Sequence, residues 1–299
     1  MRLPGALVTA LLVACSGPLG VDGGSGGGAG GGSGGAGGGG SSDGGCALTD
    51  ATTPTANVHP SGCAVLDRDT ASCFAGRSSQ GLTGVWLKFS CRVTLSASST
   101  LVTATSDGQP DHLSNYFPAA NVCHERYTGA MQNPNLIAAK SYTVNFPLAP
   151  DTNFQSMNGT AVVGLALNGV PIFGNFAAPG DDIFREALTF DRCGGHPQMA
   201  GAYHYHGEPY SLSYDDSRLI GVLRDGYPVY GRNESDGGVP TLDTYGGHSS
   251  VTADSDGAAV YHYHLNQQTS SAVGTAGQMQ WFLTKGTFRG TPASCSTCN

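Results

Sequence analysis

Gly164-Leu165-Ala166-Leu167-Asn168-Gly169-Val170-Pro171-Ile172-Phe173-Gly174 and Gly221-Val222-Leu223-Arg224-Asp225-Gly226-Tyr227-Pro228-Val229-Tyr230-Gly231 are one pattern written twice. In each copy two short apolar runs flank Asn-Gly or Asp-Gly. That pair is the strongest short hairpin signal, because both central residues of a type I′ turn need positive φ. Each hairpin is followed by an Asp-x-x-Gly-Gly-His block, Asp191 to His196 and Asp243 to His248. Tyr-His-Tyr-His comes next, as Tyr203 to His206 and Tyr261 to His264. Three shared motifs in one order point to an internal duplication, with units 164–206 and 221–264 packed as a pseudo-two-fold pair. The loops differ: six residues separate His196 from Tyr203, and twelve separate His248 from Tyr261.

The rest of the chain agrees with a β reading. Few stretches hold a 3.6-residue apolar period, and Gly, Pro, Asn and Asp interrupt the sequence at short intervals. Val85 to Leu95 alternates apolar and polar residues over a long run, and Tyr142 to Leu148 does so over a shorter one. The expectation is a mainly β fold with few helices and a sandwich or barrel-like core.

Six of the nine histidines lie in the repeated blocks, within 69 residues. In a strand, residues i and i+2 share a face. His204 and His206 then project together, with Tyr203 and Tyr205 on the opposite face, and the same holds for His262 and His264. His196 and His248 each follow a Gly-Gly pair that lets the backbone turn sharply. Three neutral imidazoles suit zinc or copper, whereas calcium and magnesium prefer oxygen ligands. Either each repeat builds its own three-histidine site, or the halves share one ligand set across the pseudo-two-fold. Asp191 and Asp243 are candidates for a further ligand or for fixing a histidine tautomer. Asp225 reads first as a turn residue and second as a carboxylate for the site. His112, in a turn-like setting, is an outlying candidate.

Met1 to Cys15 reads as an export signal whose apolar run, Ala6 to Val13, is too short to span a bilayer. It ends in Leu12-Val13-Ala14-Cys15, which resembles the lipobox of bacterial lipoproteins, where the cysteine is lipidated. Ser16 after it resembles an outer-membrane address. Residues 16–45 are almost only Gly, Ser and Ala, a flexible tether with a reach of roughly 30 Å. The folded part is therefore expected at residues 46–299, exported and lipid-anchored at a bacterial outer membrane or cell surface.

The net charge is −8 and no basic stripe exists, so nucleic acid is not expected as a partner. Eight cysteines follow Cys15, an even number that favours disulfides on an exported chain. The Cys295-Ser-Thr-Cys298 tail lacks a βαβ setting and reads as structural, with redox or metal chemistry as the alternative.

The combination of Asp191 to His196, Tyr203 to His206, Asp225 to Gly231 and Tyr261 to His264 resembles the YHYH-domain family. Weaker similarity lies at Ser106 to His112 and Asn168 to Ile172, so the resemblance covers about 105 to 265. Tyr245 stands in the second copy where Cys193 stands in the first. The resemblance implies an exported or surface protein with a β-rich domain and supplies no reaction.

Three functions follow. The first is a surface-tethered domain that binds copper or zinc through His196, His204, His206, His248, His262 and His264. The second is a metalloenzyme, hydrolytic with zinc or oxidative with copper. The third is a structural or adhesive surface module that binds no metal. Residues 46–299 hold no Gly-x-Ser-x-Gly elbow, His-Glu-x-x-His helix or phosphate-binding Gly loop, which removes several common enzyme classes.

Overall fold

In the computed structural model, which describes residues 71–126, 131–158, 161–213 and 217–298, the chain is mainly β. The stretches expected as export signal, with Cys15, and as tether, together with Cys46 and Cys63, lie outside these residues. No helix among the described residues is long and apolar enough to cross a membrane.

The strands are, in chain order, β1 (Thr94–Ala97), β2 (Leu101–Ser106), β3 (Tyr142–Pro147), β4 (Gln155–Ser156), β5 (Val162–Ala166), β6 (Pro171–Phe173), β7 (Gly195–Pro197) and β8 (Tyr203–Tyr205). They continue with β9 (Leu219–Leu223), β10 (Pro228–Tyr230), β11 (Gly247–Val251), β12 (Ala259–His264), β13 (Asn266–Thr269), β14 (Met279–Phe282), β15 (Thr287–Phe288) and β16 (Cys295–Ser296). Two short α-helices accompany them, α1 (Ala71–Ser79) and α2 (Ile183–Glu186).

The organising element is an eight-stranded sheet of order β11-β12-β10-β9-β5-β6-β8-β7. Its two halves mirror each other about the central antiparallel pair β5·β9. Each half has an antiparallel hairpin, a parallel pair (β10·β12 or β6·β8) and an antiparallel outer pair. The sheet is open, with β11 and β7 as its edges, so the barrel-like alternative is not adopted. A four-stranded antiparallel sheet of order β1-β2-β3-β16 packs on it in a layered arrangement. Val102, Val144 and Phe146 of the smaller sheet share one core with Val162, Leu165, Phe173 and Val222 of the larger. The inner residues of β3 alternate as expected, with Tyr142, Val144 and Phe146 buried. A second core covers other residues of the large sheet, among them Val163, Ile172, Ile220, Val229 and three of the motif tyrosines, Tyr203, Tyr205 and Tyr263.

Two local expectations change. The hairpin turns are not type I′: Gly169 and Gly226 have φ of 87° and 88°, but Asn168 and Asp225 do not have positive φ. The amide of Gly169 donates to Ala166 O and that of Ala166 to Val170 O, and Gly226, Leu223 and Tyr227 repeat this arrangement. Each loop is thus a three-residue turn with glycine in the left-handed position, the bulged form of a hairpin.

The long strand expected over Val85 to Leu95 is instead a 3-10 turn at Gly84–Lys88 and a strand that starts only at Thr94. The Arg77 guanidinium donates to the carbonyls of Phe89, Ser90 and Val93. These carbonyls are therefore satisfied without a strand partner, and Trp86 stacks on Phe89 and packs against Phe146.

Cys295 and Cys298 form a disulfide, and Cys91, Cys123 and Cys193 are also disulfide-bonded.

Candidate metal centres

Strand register builds the site. In the outer pairs, His196 lies directly opposite His204, and His248 directly opposite His262. His206 and His264, two residues further along the Tyr-His-Tyr-His strand, project on the same face. Each repeat therefore gathers its own three imidazoles. The two clusters lie on different outer pairs of the large sheet, with β10, β9, β5 and β6 between them in the strand order. A ligand set shared between the halves is not formed.

The Gly-Gly pair does two jobs in each turn. Gly194 and Gly246 take φ of 90° and 93°, a region that side chains resist. Gly195 lies flat against Tyr203, where a Cβ would come within 2.5 Å of the ring, and Gly247 lies similarly against Tyr261. The turn is closed by its first residue. Asp191 Oδ1 accepts from the amides of Cys193 (2.9 Å) and Gly195 (3.3 Å), and Asp243 Oδ1 from those of Tyr245, Gly246 and Gly247. Tyr203 donates to Asp191 (2.8 Å) and Tyr261 to Asp243 (3.0 Å).

In the first centre His196, His204 and His206 are all buried. His204 Nδ1 donates to Ala202 O at 3.0 Å, and His206 Nδ1 donates to Gly174 O. Thr189 gives its hydroxyl proton to Glu186 O, so its oxygen accepts from His196 Nδ1 at 2.6 Å. All three ring protons are thus committed at Nδ1, and the three Nε2 lone pairs face one another. His204 Nε2 lies 3.1 Å from His196 Nε2 and 2.9 Å from His206 Nε2. Nitrogens bound to one tetrahedral zinc at 2.0–2.1 Å stand about 3.3 Å apart, so both separations are close to those of a ligand set, and all three donor atoms lie within 4.8 Å of one another.

Burial, reinforced by His206, pushes His196 down to about 3. Burial takes His206 down to about 4 and His204 down as well. The imidazoles are neutral at physiological pH, the form that binds metal. Glu186, at the end of α2, brings Oε1 to 3.6 Å from His196 Nε2. Burial and then Asp181 raise its carboxyl to about 7, and its second oxygen is buried without a hydrogen bond.

The second centre repeats the scaffold. His262 Nδ1 donates to Val260 O at 2.9 Å and His264 Nδ1 to Gly231 O at 2.8 Å, counterparts of Ala202 and Gly174. His248 Nε2 and His264 Nε2 are 3.3 Å apart, and the buried Nε2 of His262 has no hydrogen-bond partner. Burial lowers His262 and takes His264 down to about 4. Glu234 supplies a carboxylate, with Oε1 2.6 Å from His248 Nε2 and Oε2 3.8 and 3.9 Å from those of His262 and His264. Glu234, His248, His262 and His264 form one group with converging donor atoms, and His196, His204 and His206 form another.

Four other sequence candidates lie away from these groups. Asp191 and Asp243 neither join the clusters nor accept from a histidine ring; backbone carbonyls and Thr189 fix the tautomers instead. Both carboxylates are used up by turn amides and tyrosine hydroxyls. His112 Nδ1 donates to Leu113 O at 2.9 Å, leaving Nε2 to accept from Tyr205 at 3.0 Å, so it braces the tyrosine layer behind the first centre. Asp225 accepts from Tyr263 (2.5 Å) and from the amides of Arg289 and Gly290 (3.1 Å each), and burial raises it to about 6. Its counterpart Asn168 donates to Tyr205 at 3.1 Å.

Glu186 and Glu234 are not evident from sequence. Each comes from the connection between its hairpin and its Gly-Gly-His turn, but at different distances, so no motif marks them.

Residues 142–241 match the family model described as YHYH protein, and this stretch of the chain is a YHYH domain. It contains the whole first centre and Glu234, whereas His248, His262 and His264 lie beyond the matched residues. No curated protein and no solved structure matches the chain.

Proposed function

We propose that this is an exported, lipid-tethered protein that binds a transition metal, copper or zinc, at two histidine centres built by duplicated halves of one sheet. The observation that carries the reading is that His204 Nε2, unprotonated, lies 2.9–3.1 Å from the unprotonated Nε2 atoms of His206 and His196, with all three donor atoms within 4.8 Å of one another. Lone pairs at that separation repel unless a cation lies between them, and every ring proton that might relieve the repulsion is held on the far nitrogen. Nitrogen donors select zinc or copper over calcium or magnesium. Glu234 acts as a fourth ligand in the second centre. The tether between Cys15 and the domain holds both centres outside the membrane.

Elemental analysis of the full chain, expressed to an oxidising compartment without a polyhistidine tag, tests this. The expected result is two equivalents of copper or zinc, falling to none when His204, His206, His262 and His264 are all replaced by alanine. A wild-type chain that is metal-free and takes up neither ion on titration removes the reading and moves the search to glycan or protein ligands of the tyrosine-rich strands.

A further inference from the structure

The two centres share a scaffold, and His262 and His264 are as buried as the first triad, but the centres differ in the exposure of the histidine from the Gly-Gly-His turn and in what covers it. In the first, the exposures of His196, His204 and His206 are 2%, 1% and 3%. Phe173 stacks on His204 with ring centroids 3.9 Å apart, and Phe190 meets His196 edge-on at 5.0 Å. The turn that presents His196 is also tied covalently, because Cys193 within it is disulfide-bonded.

In the second centre the side chains of Glu234 and His248 are 18% and 21% exposed. A small crevice lined by Asn233, Glu234, Ser235 and Thr252 adjoins His262 and His264. Tyr245 replaces the cysteine, so this turn has no cross-link, and among the described residues no aromatic counterpart of Phe190 contacts its histidines.

Resting on the metal reading above, we infer that the centres divide the work. The His196–His204–His206 centre keeps a resident, structural ion, and the Glu234–His248–His262–His264 centre takes up and releases a divalent ion from the surrounding medium. Release from the first requires the sheet edge and its aromatic cover to open, a local unfolding event. Release from the second can begin with displacement of its two partly exposed ligands, Glu234, which lines the crevice, and His248.

The test is zinc release from the fully loaded full chain into an excess of a chromogenic chelator. One equivalent is expected to leave at least about a hundredfold faster than the other, the ratio that an opening cost of a few kcal/mol imposes. His248→Ala should remove the fast equivalent and leave one slow equivalent. Glu234→Gln should keep two equivalents but weaken the fast one about tenfold or more, as loss of a charged ligand does. His204→Ala should remove the slow equivalent; if it fails to fold, the His248→Ala result alone decides. Two equivalents released in one phase, or a fast phase that survives His248→Ala, overturn the division of labour while leaving metal binding intact. A wild-type chain that loads no zinc or copper overturns the metal reading itself.

Discussion

His204 Nε2 lies 3.1 Å from His196 Nε2, and neither atom carries a proton to share with the other. Ala202 O and the Thr189 hydroxyl hold the two ring protons on the opposite nitrogens. Without a cation, this geometry places two acceptors in hydrogen-bond contact inside a buried site, which is unfavourable in a low local dielectric. With a cation, the same geometry is pre-organised: the tautomers are fixed, the rings are braced, and the imidazoles need not shed protons.

Metal removal should therefore destabilise the fold. A ligand at a hundred times its dissociation constant stabilises by about 2.7 kcal/mol, equivalent to about 5–10 °C in Tm for a domain of this size. Thermal denaturation with and without a strong chelator checks this, and readdition of zinc should restore the lost stability.

The metal-free protein should be acid-sensitive. His196 falls from 6.5 to about 3 and His206 to about 4 on folding, so below pH 6.5 the unfolded chain binds more protons than the folded one. The stability from these groups is full above about pH 6.5 and is lost as pH falls toward 4 and 3, at about 1.4 kcal/mol per histidine for each pH step between its unfolded and folded values. Chemical denaturation of the chelated protein at pH 7.5, 6 and 5 should show this decline, and His206→Ala should flatten it.

Asp225 has the opposite sign. Its carboxyl rises from 3.8 to about 6, so the folded state binds the extra proton between those values. Stability falls as pH rises through this window and stays reduced above it. Asp225→Asn should abolish that slope and, by removing the buried charge, raise stability at pH 7 by up to about 3 kcal/mol, the worth of a shift of this size. Asn168 already fills the corresponding place beside Tyr205. Asp225→Leu leaves the Tyr263 hydroxyl and the Gly290 amide without their acceptor, while the Arg289 amide keeps the Tyr263 oxygen, and should be the more damaging change, as denaturation midpoints will show.

Gly195→Ala should damage one centre only. The new methyl would sit 2.5 Å from the Tyr203 ring, displacing the tyrosine that bonds Asp191. The expected cost is about 1–3 kcal/mol, typical of overpacking. Metal content should fall toward one equivalent, and binding at the second centre, built on the other outer strand pair, should be unchanged.

Much of this was legible in the residues. Period-two alternation placed His204 with His206 and His262 with His264, and the hairpins fell where Asn168-Gly169 and Asp225-Gly226 mark them. Four features were not. The turns are bulged because only Gly169 and Gly226 take positive φ, a choice that Asn and Asp leave open. The Val85 to Leu95 stretch has strand composition, yet Arg77 caps its carbonyls from outside, a tertiary contact that periodicity does not encode. Glu186 and Glu234 reach the imidazoles from connections of unequal length. The parallel pairs β6·β8 and β10·β12, which bring Gly174 O and Gly231 O onto His206 and His264, join segments with no local signature of their pairing.

The most direct test of the central claim is an anomalous-difference map from crystals of the protein, recorded at the zinc and copper absorption edges. Two peaks are predicted, one about 2.0–2.1 Å from the Nε2 atoms of His196, His204 and His206, the other bounded by His248, His262, His264 and Glu234. Crystals grown with added zinc or copper that show no anomalous density at either triad, with the histidines in the same positions, would contradict it.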